Sequence, residues 1–258
     1  MSPTAIPGNL LLKNGMVITG EQKNNWTPAE ITTALWLDAA DASTITESGG
    51  VVSQWDDKSG NEKHAIQSSS ALRPSYNSNK VIFDGTELMQ LPSELATLNS
   101  VSLFVVGRYA ASVGANNYLI FATGSGADER FYNGQVDVDL TEFKWNIEDL
   151  ADIDTITFST STAILGLTHG SNIATPYYNG AALTTASRSK TVTLANWFLG
   201  AVNASTPRLD GELQEVILLN SVPPTSTRQK LEGYLAHKWG LTANLPADHP
   251  YKTAIPVP

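Results

Sequence analysis

Three carboxylates fall within six residues at Asp137-Val138-Asp139-Leu140-Thr141-Glu142. On an extended segment Asp137 and Asp139 project to the same face, and a retaining glycosidase needs two carboxyls about 5 to 5.5 Å apart. The spacing admits acid–base and nucleophilic work on a glycosidic bond. The same region could serve a cation instead, because Ca²⁺ takes about six to eight oxygen ligands and Asp152-Ile153-Asp154 follows closely. No twelve-residue Asp-x-Asp-x-Asp-Gly loop is present, so a structural Ca²⁺ stands as an option and no dedicated metal site is expected. Nine of the 25 acidic residues lie between Asp128 and Asp154, and the plainest use of such a cluster is a solvated face. A third use is sugar binding, which needs an aromatic face for stacking beside amide and carboxylate partners. Tyr118, Tyr132, Trp145 and the pair Asn116-Asn117 supply the types. The candidate glycan-binding set is Asn117, Tyr132, Asp137, Asp139 and Trp145.

Other polar clusters read as structure. Asp56-Asp57-Lys58-Ser59-Gly60-Asn61 has the residues of a turn, in which Asp, Ser and Asn side chains bond the local backbone and Gly takes the left-handed dihedral. His64, His169, His237 and His249 lack metal-ligand spacing and read as packing or surface residues. Neither a Gly-x-Ser-x-Gly elbow nor a Walker loop occurs.

The elements that would hold these residues are mostly strands. Short apolar or alternating runs broken by Gly, Asn, Asp and Ser predict strands over 102–109, 118–123, 163–169, 173–179, 193–200 and 211–219. The run Ser102-Leu103-Phe104-Val105-Val106-Gly107 is apolar on both faces and so belongs at a sheet centre. Asn133-Gly134 and Asn179-Gly180 each offer a two-residue hairpin turn. One helix is expected, over 226–239. Pro223-Pro224 stops the preceding strand, Ser226 and Gln229 stand at capping-box spacing, and Gly240 ends the run. Leu231, Tyr234, Leu235 and Trp239 share one face. Gly233 inside that helix costs about 1 kcal/mol relative to Ala, which implies a neighbour packed close against it.

Bulk properties narrow the function. Net charge −9 argues against nucleic acid, whose binders need a basic footprint. No apolar stretch reaches the ~20 residues that span a bilayer, and the first residues lack a signal-peptide pattern. Cysteine is absent, so no disulfide is involved. Residues 1–34, with Pro3, Pro7, Pro28 and the apolar runs Leu10-Leu11-Leu12 and Met16-Val17-Ile18, read as an anchoring arm preceding a domain over 35–258.

The stretches Leu35-Trp36-Leu37-Asp38-Ala39-Ala40-Asp41, Trp55 to Asn61, Val81-Ile82-Phe83-Asp84-Gly85 and Glu232-Gly233-Tyr234-Leu235-Ala236-His237-Lys238-Trp239-Gly240-Leu241 together resemble the laminin-G-like branch of the concanavalin-A-like lectin/glucanase fold. They look most like the versions found in bacteriophage structural proteins. The resemblance implies an all-β fold: a concanavalin-A-like jelly-roll sandwich of two antiparallel sheets with one C-terminal helix. It also implies a non-enzymatic virion protein, made in the host cytoplasm and displayed on the capsid or tail. Its partners would be neighbouring virion proteins, further copies of itself in a homo-oligomer, and host-surface glycan. A carbohydrate-binding receptor-recognition module is the alternative. The acidic segment resembles the Glu-x-Asp-x-x-Glu strand of family-16 glycoside hydrolases, which share this fold. That resemblance makes Asp137 the nucleophile, Asp139 the middle carboxylate and Glu142 the acid/base. Asp137 stands where that family has Glu, and the shortened side chain leads to the expectation that the chain is not an enzyme.

Overall fold

The computed structural model describes residues 9–11, 17–19, 25–93, 95, 100–110, 118–123, 130–136, 142–147, 153, 155–157, 159–188, 196–204, 206–207 and 209–258. Two layers of antiparallel strands lie face to face, and one helix covers the outer side of the first layer.

In the first layer the strands run Ile173–Tyr178, Ala163–Gly170, Ser100–Tyr109 and Asp210–Leu219. The far edge of Asp210–Leu219 is shared by two short strands, Leu35–Asp38 along residues 215–218 and Val81–Asp84 along 210–213. The second layer runs Thr155–Thr157, Glu142–Ile147, Arg130–Val136, Tyr118–Thr123, Asn196–Leu199 and Met89–Leu91. Ala65–Ile66, Val51–Trp55 and Ser75–Tyr76 carry the ladder back to Val81–Asp84. The hydrogen-bonded sheet is therefore continuous and turns over at that edge to make the sandwich.

The first layer has no water-facing side along its centre. Alternate residues Val101, Leu103, Val105, Leu165, Leu167, Val216 and Leu218 point between the layers, where Trp55, Leu119, Trp145, Trp197 and Leu199 meet them. The intervening Phe104, Val106, Ile164, Ile217 and Leu219 point the other way, onto Leu231, Leu235 and Ala236 of the helix. The double-sided apolarity of Ser102 to Gly107 is thus accounted for by a sheet buried on both faces.

One irregularity keeps that alternation in phase. Val106 pairs with Glu215 but Gly107 pairs with Leu213, so Gln214 is an extra residue in its strand. The bulge lets both Leu213 and Val216, three apart, enter the inter-layer core. A Cβ on Gly107 would stand 2.7 Å from the Glu212 carbonyl oxygen, which is why glycine occupies the opposite strand there.

The helix spans Thr225–Lys238. The expected capping box does not form: Pro224 precedes the helix and no side-chain hydrogen bond caps it, the proline fixing the entry instead. Gly240, with φ +71°, ends it as the sequence implied. Gly233 is pressed by the Tyr251 side chain and Pro256, which gives the close neighbour its identity.

Two other expectations change. Asn179 and Gly180 make the predicted two-residue hairpin, both with positive φ. Asn133-Gly134 does not: it lies within the strand Arg130–Val136, where the register slips between Asn133 and Gln135 and the glycine sits at a bulge. Packing of the sandwich also begins before residue 35. Trp26 is buried in the helix-side core, its backbone N–H donates to the Pro256 carbonyl at 2.9 Å, and its ring meets Tyr234 edge-on at 6.3 Å. Residues 25–34 therefore belong to the sandwich. Of the earlier part, Asn9–Leu11 and Val17–Thr19 pair with each other.

Candidate functional site

A cleft forms where three segments converge. Thr32, Thr33 and Ala34 lead into the first strand, Asn61 and Lys63 come from the turn after Trp55, and Asn220 and Ser221 follow the last strand. With Leu95 they enclose about 450 Å³. Five of the eight lining residues carry hydroxyl or amide side chains, set among a larger share of apolar surface, and Lys63 is the single ionisable one.

Asp57 builds the turn that forms one wall. Its Oδ1 accepts from the backbone N–H of Trp36 at 2.8 Å and of Ser59 at 2.9 Å. Its Oδ2 accepts from the Ser59 hydroxyl at 2.6 Å and the Lys63 N–H at 3.1 Å. The Asp57 N–H donates to His64 Nδ1 at 3.0 Å, and Gly60 takes φ +85°. Asn61 then reaches across, its Nδ2 donating to the Thr33 carbonyl at 2.8 Å. The opposite wall is tied by Ala34 N–H to Leu218 O at 2.7 Å and by the Ser102 hydroxyl to Ser221 O at 2.8 Å. The turn read as structural is structural, and its product is the placement of Asn61 and Lys63.

Beyond Thr32 and Ser221, which line both, a second hollow of about 400 Å³ continues over Ile31, Val222, Pro223 and Pro224. Both hollows expose more apolar than polar surface, and the hydroxyl and amide side chains gather in the first.

A second polar cluster lies between helix and sheet. Glu215 is fully buried. Its Oε1 accepts from Trp36 Nε1 at 2.8 Å and Tyr234 OH at 3.0 Å, and its Oε2 from Trp239 Nε1 at 2.6 Å. Lys238 Nζ lies 2.8 Å from Glu215 Oε2 and 2.5 Å from Asp38 Oδ1, while Lys58 bridges Asp38 and Asp41 at 3.0 and 2.8 Å. Burial pushes the Glu215 carboxyl above the usual carboxylate range, and burial together with the Glu215 and Asp38 charges pushes the Tyr234 phenol up. An enclosed carboxylate with this many donors cannot reach a substrate. Its role is to fasten the helix to the sheet.

The candidates read from the sequence distribute differently. Asn117, Asp137 and Asp139 lie outside the described residues. Tyr132 and Glu142 stand on neighbouring strands, Arg130–Val136 and Glu142–Ile147, whose backbones are described without those side chains. Trp145 is corrected: it is wholly buried between the layers and faces protein, so it cannot stack on a sugar. Among the described residues no group of three or more His, Asp or Glu is placed to hold a metal, and Asp137, Asp139, Asp152 and Asp154 are not among them. The histidines are packing residues: His249 lies 3.3 Å from buried Glu232, and His169 Nε2 contacts the Arg188 carbonyl at 2.9 Å. Lys63 and Asn220 escaped notice in the sequence because the cleft joins segments that are far apart along the chain.

No family model and no curated protein matches this chain. Solved structures do match its fold. A Trypanosoma rangeli sialidase in complex with sialic acid is similar at 12% identity and TM-score 0.57, over 79% of this chain and 33% of the sialidase. The same organism's sialidase with the inhibitor DANA is similar at 13% identity and TM-score 0.56, over 80% of this chain and 34% of that one. Domain 4 of a GH43 extracellular arabinanase from Geobacillus stearothermophilus, in complex with arabinotriose, is similar at 16% identity and TM-score 0.49, over 76% of this chain and 95% of that domain. The chain spans about a third of the length of the sialidases it matches. The expectation of a non-enzymatic protein is corrected by the sialidase likeness: the fold occurs within an enzyme chain, so hydrolysis belongs among the activities to be assayed.

Proposed function

We propose that this chain is a carbohydrate-binding β-sandwich whose contact surface is the cleft formed by Thr32, Thr33, Asn61, Lys63, Asn220 and Ser221. The observation that carries the reading is the lining itself. Five hydroxyl- or amide-bearing residues line a volume of about 450 Å³ beside apolar surface, and the turn that holds one wall is fixed by the Asp57 hydrogen bonds. Sugars are bound through such groups, since each hydroxyl both donates and accepts. The sialidase of similar fold is in complex with sialic acid, which supports sugars as the ligand class.

The finer setting, a bacteriophage particle on which the sandwich meets host-surface glycan beside other virion proteins, rests on the resemblance of the Leu35–Asp41, Trp55–Asn61 and Glu232–Leu241 stretches. It is consistent with sugar binding. An oligomer of this chain would raise avidity on a repeated glycan without new contacts.

A glycan array followed by calorimetry on its best ligands tests the reading. Binding should appear and should weaken in Asn61→Ala and Asn220→Ala. Silence across the array would overturn it. The same ligands should be assayed for released sugar: release that disappears in Glu142→Gln would assign the chain to family-16-like hydrolysis instead.

A further inference from the structure

We infer that the cleft selects glycans bearing a carboxylate, which pairs with Lys63; this deepens the carbohydrate-binding reading and rests on it. The protein carries net charge −9, yet the cleft lining includes a cation and no carboxylate. A cation on a lining without a carboxylate gives an anionic ligand group a partner in the cleft.

Lys63 is placed for the task. Its backbone N–H is held by Asp57 Oδ2 at 3.1 Å, so the residue is fixed at its base. Its ammonium forms no hydrogen bond or ion pair with a described residue, unlike Lys58, Lys80 and Lys238, which are each paired with carboxylates. Within the turn both oxygens of Asp57 are taken by the Trp36, Ser59 and Lys63 donors, and the Lys63 ammonium is paired with neither Asp56 nor the exposed, adjacent Glu62. Amide and hydroxyl groups of Asn220, Thr32 and Ser221 then meet the neutral sugar hydroxyls. The apolar continuation over Val222, Pro223 and Pro224 suits a methyl-bearing substituent such as an N-acetyl group.

The probe pair is 3′-sialyllactose, which has both a carboxylate and an N-acetyl group, against lactose, which has neither. Calorimetry should show sialyllactose binding at least about tenfold tighter, as a hydrogen-bonded charge pair implies. Lys63→Ala should abolish that gap, Lys63→Arg should keep most of it, and thermal unfolding of both variants should match the parent, since the side chain supports no described contact. Equal affinity for the two sugars would overturn the inference and leave carbohydrate binding intact. A preference for sialyllactose unchanged in Lys63→Ala would equally overturn it, by locating the selectivity elsewhere. Failure of both probes, alongside neutral glycans that bind on the array, would remove acidic selectivity alone; failure of every glycan would remove both readings.

Discussion

At the scale of single residues, Asp57 and Glu215 show how little of this protein's polar chemistry is at its surface. Asp57 accepts from three backbone N–H groups and one hydroxyl, and its loss leaves those donors unpaired in a part-buried turn. Asp57→Ala should cost about 3 kcal/mol in chemical denaturation and weaken glycan binding with it; unchanged stability would refute the account of the turn. Glu215→Gln should cost about 3 to 5 kcal/mol, because the amide presents a donor to an environment already full of donors. A pH dependence is expected from Asp41, which hydrogen bonds from Lys58 and Ser43 hold down from 3.8 to about 2. A depressed carboxylate contributes stability that is complete above its ordinary value and lost as pH falls through the lowered one. Unfolding measured between pH 4 and 2 should therefore steepen with acid, and Asp41→Asn should flatten that limb. The side chain is 35% exposed, so the effect should stay under about 1 kcal/mol. In the sequence, the types at Asp57 to Asn61 made the turn legible because its bonds are local. The cleft was not legible, since Asn61 meets Thr33 and Ser102 meets Ser221 only after folding, and Trp145 looked like a sugar platform because an aromatic residue carries no sign of which face of the sheet it takes.

Among the elements, the strands at Tyr118–Thr123, Ala163–Gly170 and Asp210–Leu219 follow from apolar periodicity that secondary structure alone decodes. The bulge at Gln214 does not, because it is defined by the partner strand and not by its own residues. Nor does the sequence show that Glu215, inside this strand, is covered by the helix. Helix and sheet are coupled through Trp239, half-buried, whose indole N–H meets Glu215 at 2.6 Å. Trp239→Ala should cost about 3 to 5 kcal/mol through lost packing and an acceptor short of a donor. Gly233→Ala is the sharper test. In an open helix the change would stabilise by about 1 kcal/mol, but here the added methyl must displace Tyr251. A lower melting temperature is expected, and a higher one would show that the tail yields freely.

For the whole molecule, the boundary of the folded unit is the quantity to test. Trp26 is buried on the helix side and bonded to Pro256, so a chain starting at residue 25 should fold with little change in melting temperature. One starting at residue 35 should lose about 3 to 5 kcal/mol, the cost of deleting a buried tryptophan. Equal stability of the two would move the boundary back to residue 35. The hydrogen bond from Trp26 to Pro256 also has a topological consequence. It brings the two ends of the sandwich to one point, so the unit can be spliced into a surface loop of another protein without prising its host apart. By the same token, joining residue 258 to residue 25 with a short linker and opening the chain at the Asn179-Gly180 hairpin should yield a circular permutant that folds to the same sandwich.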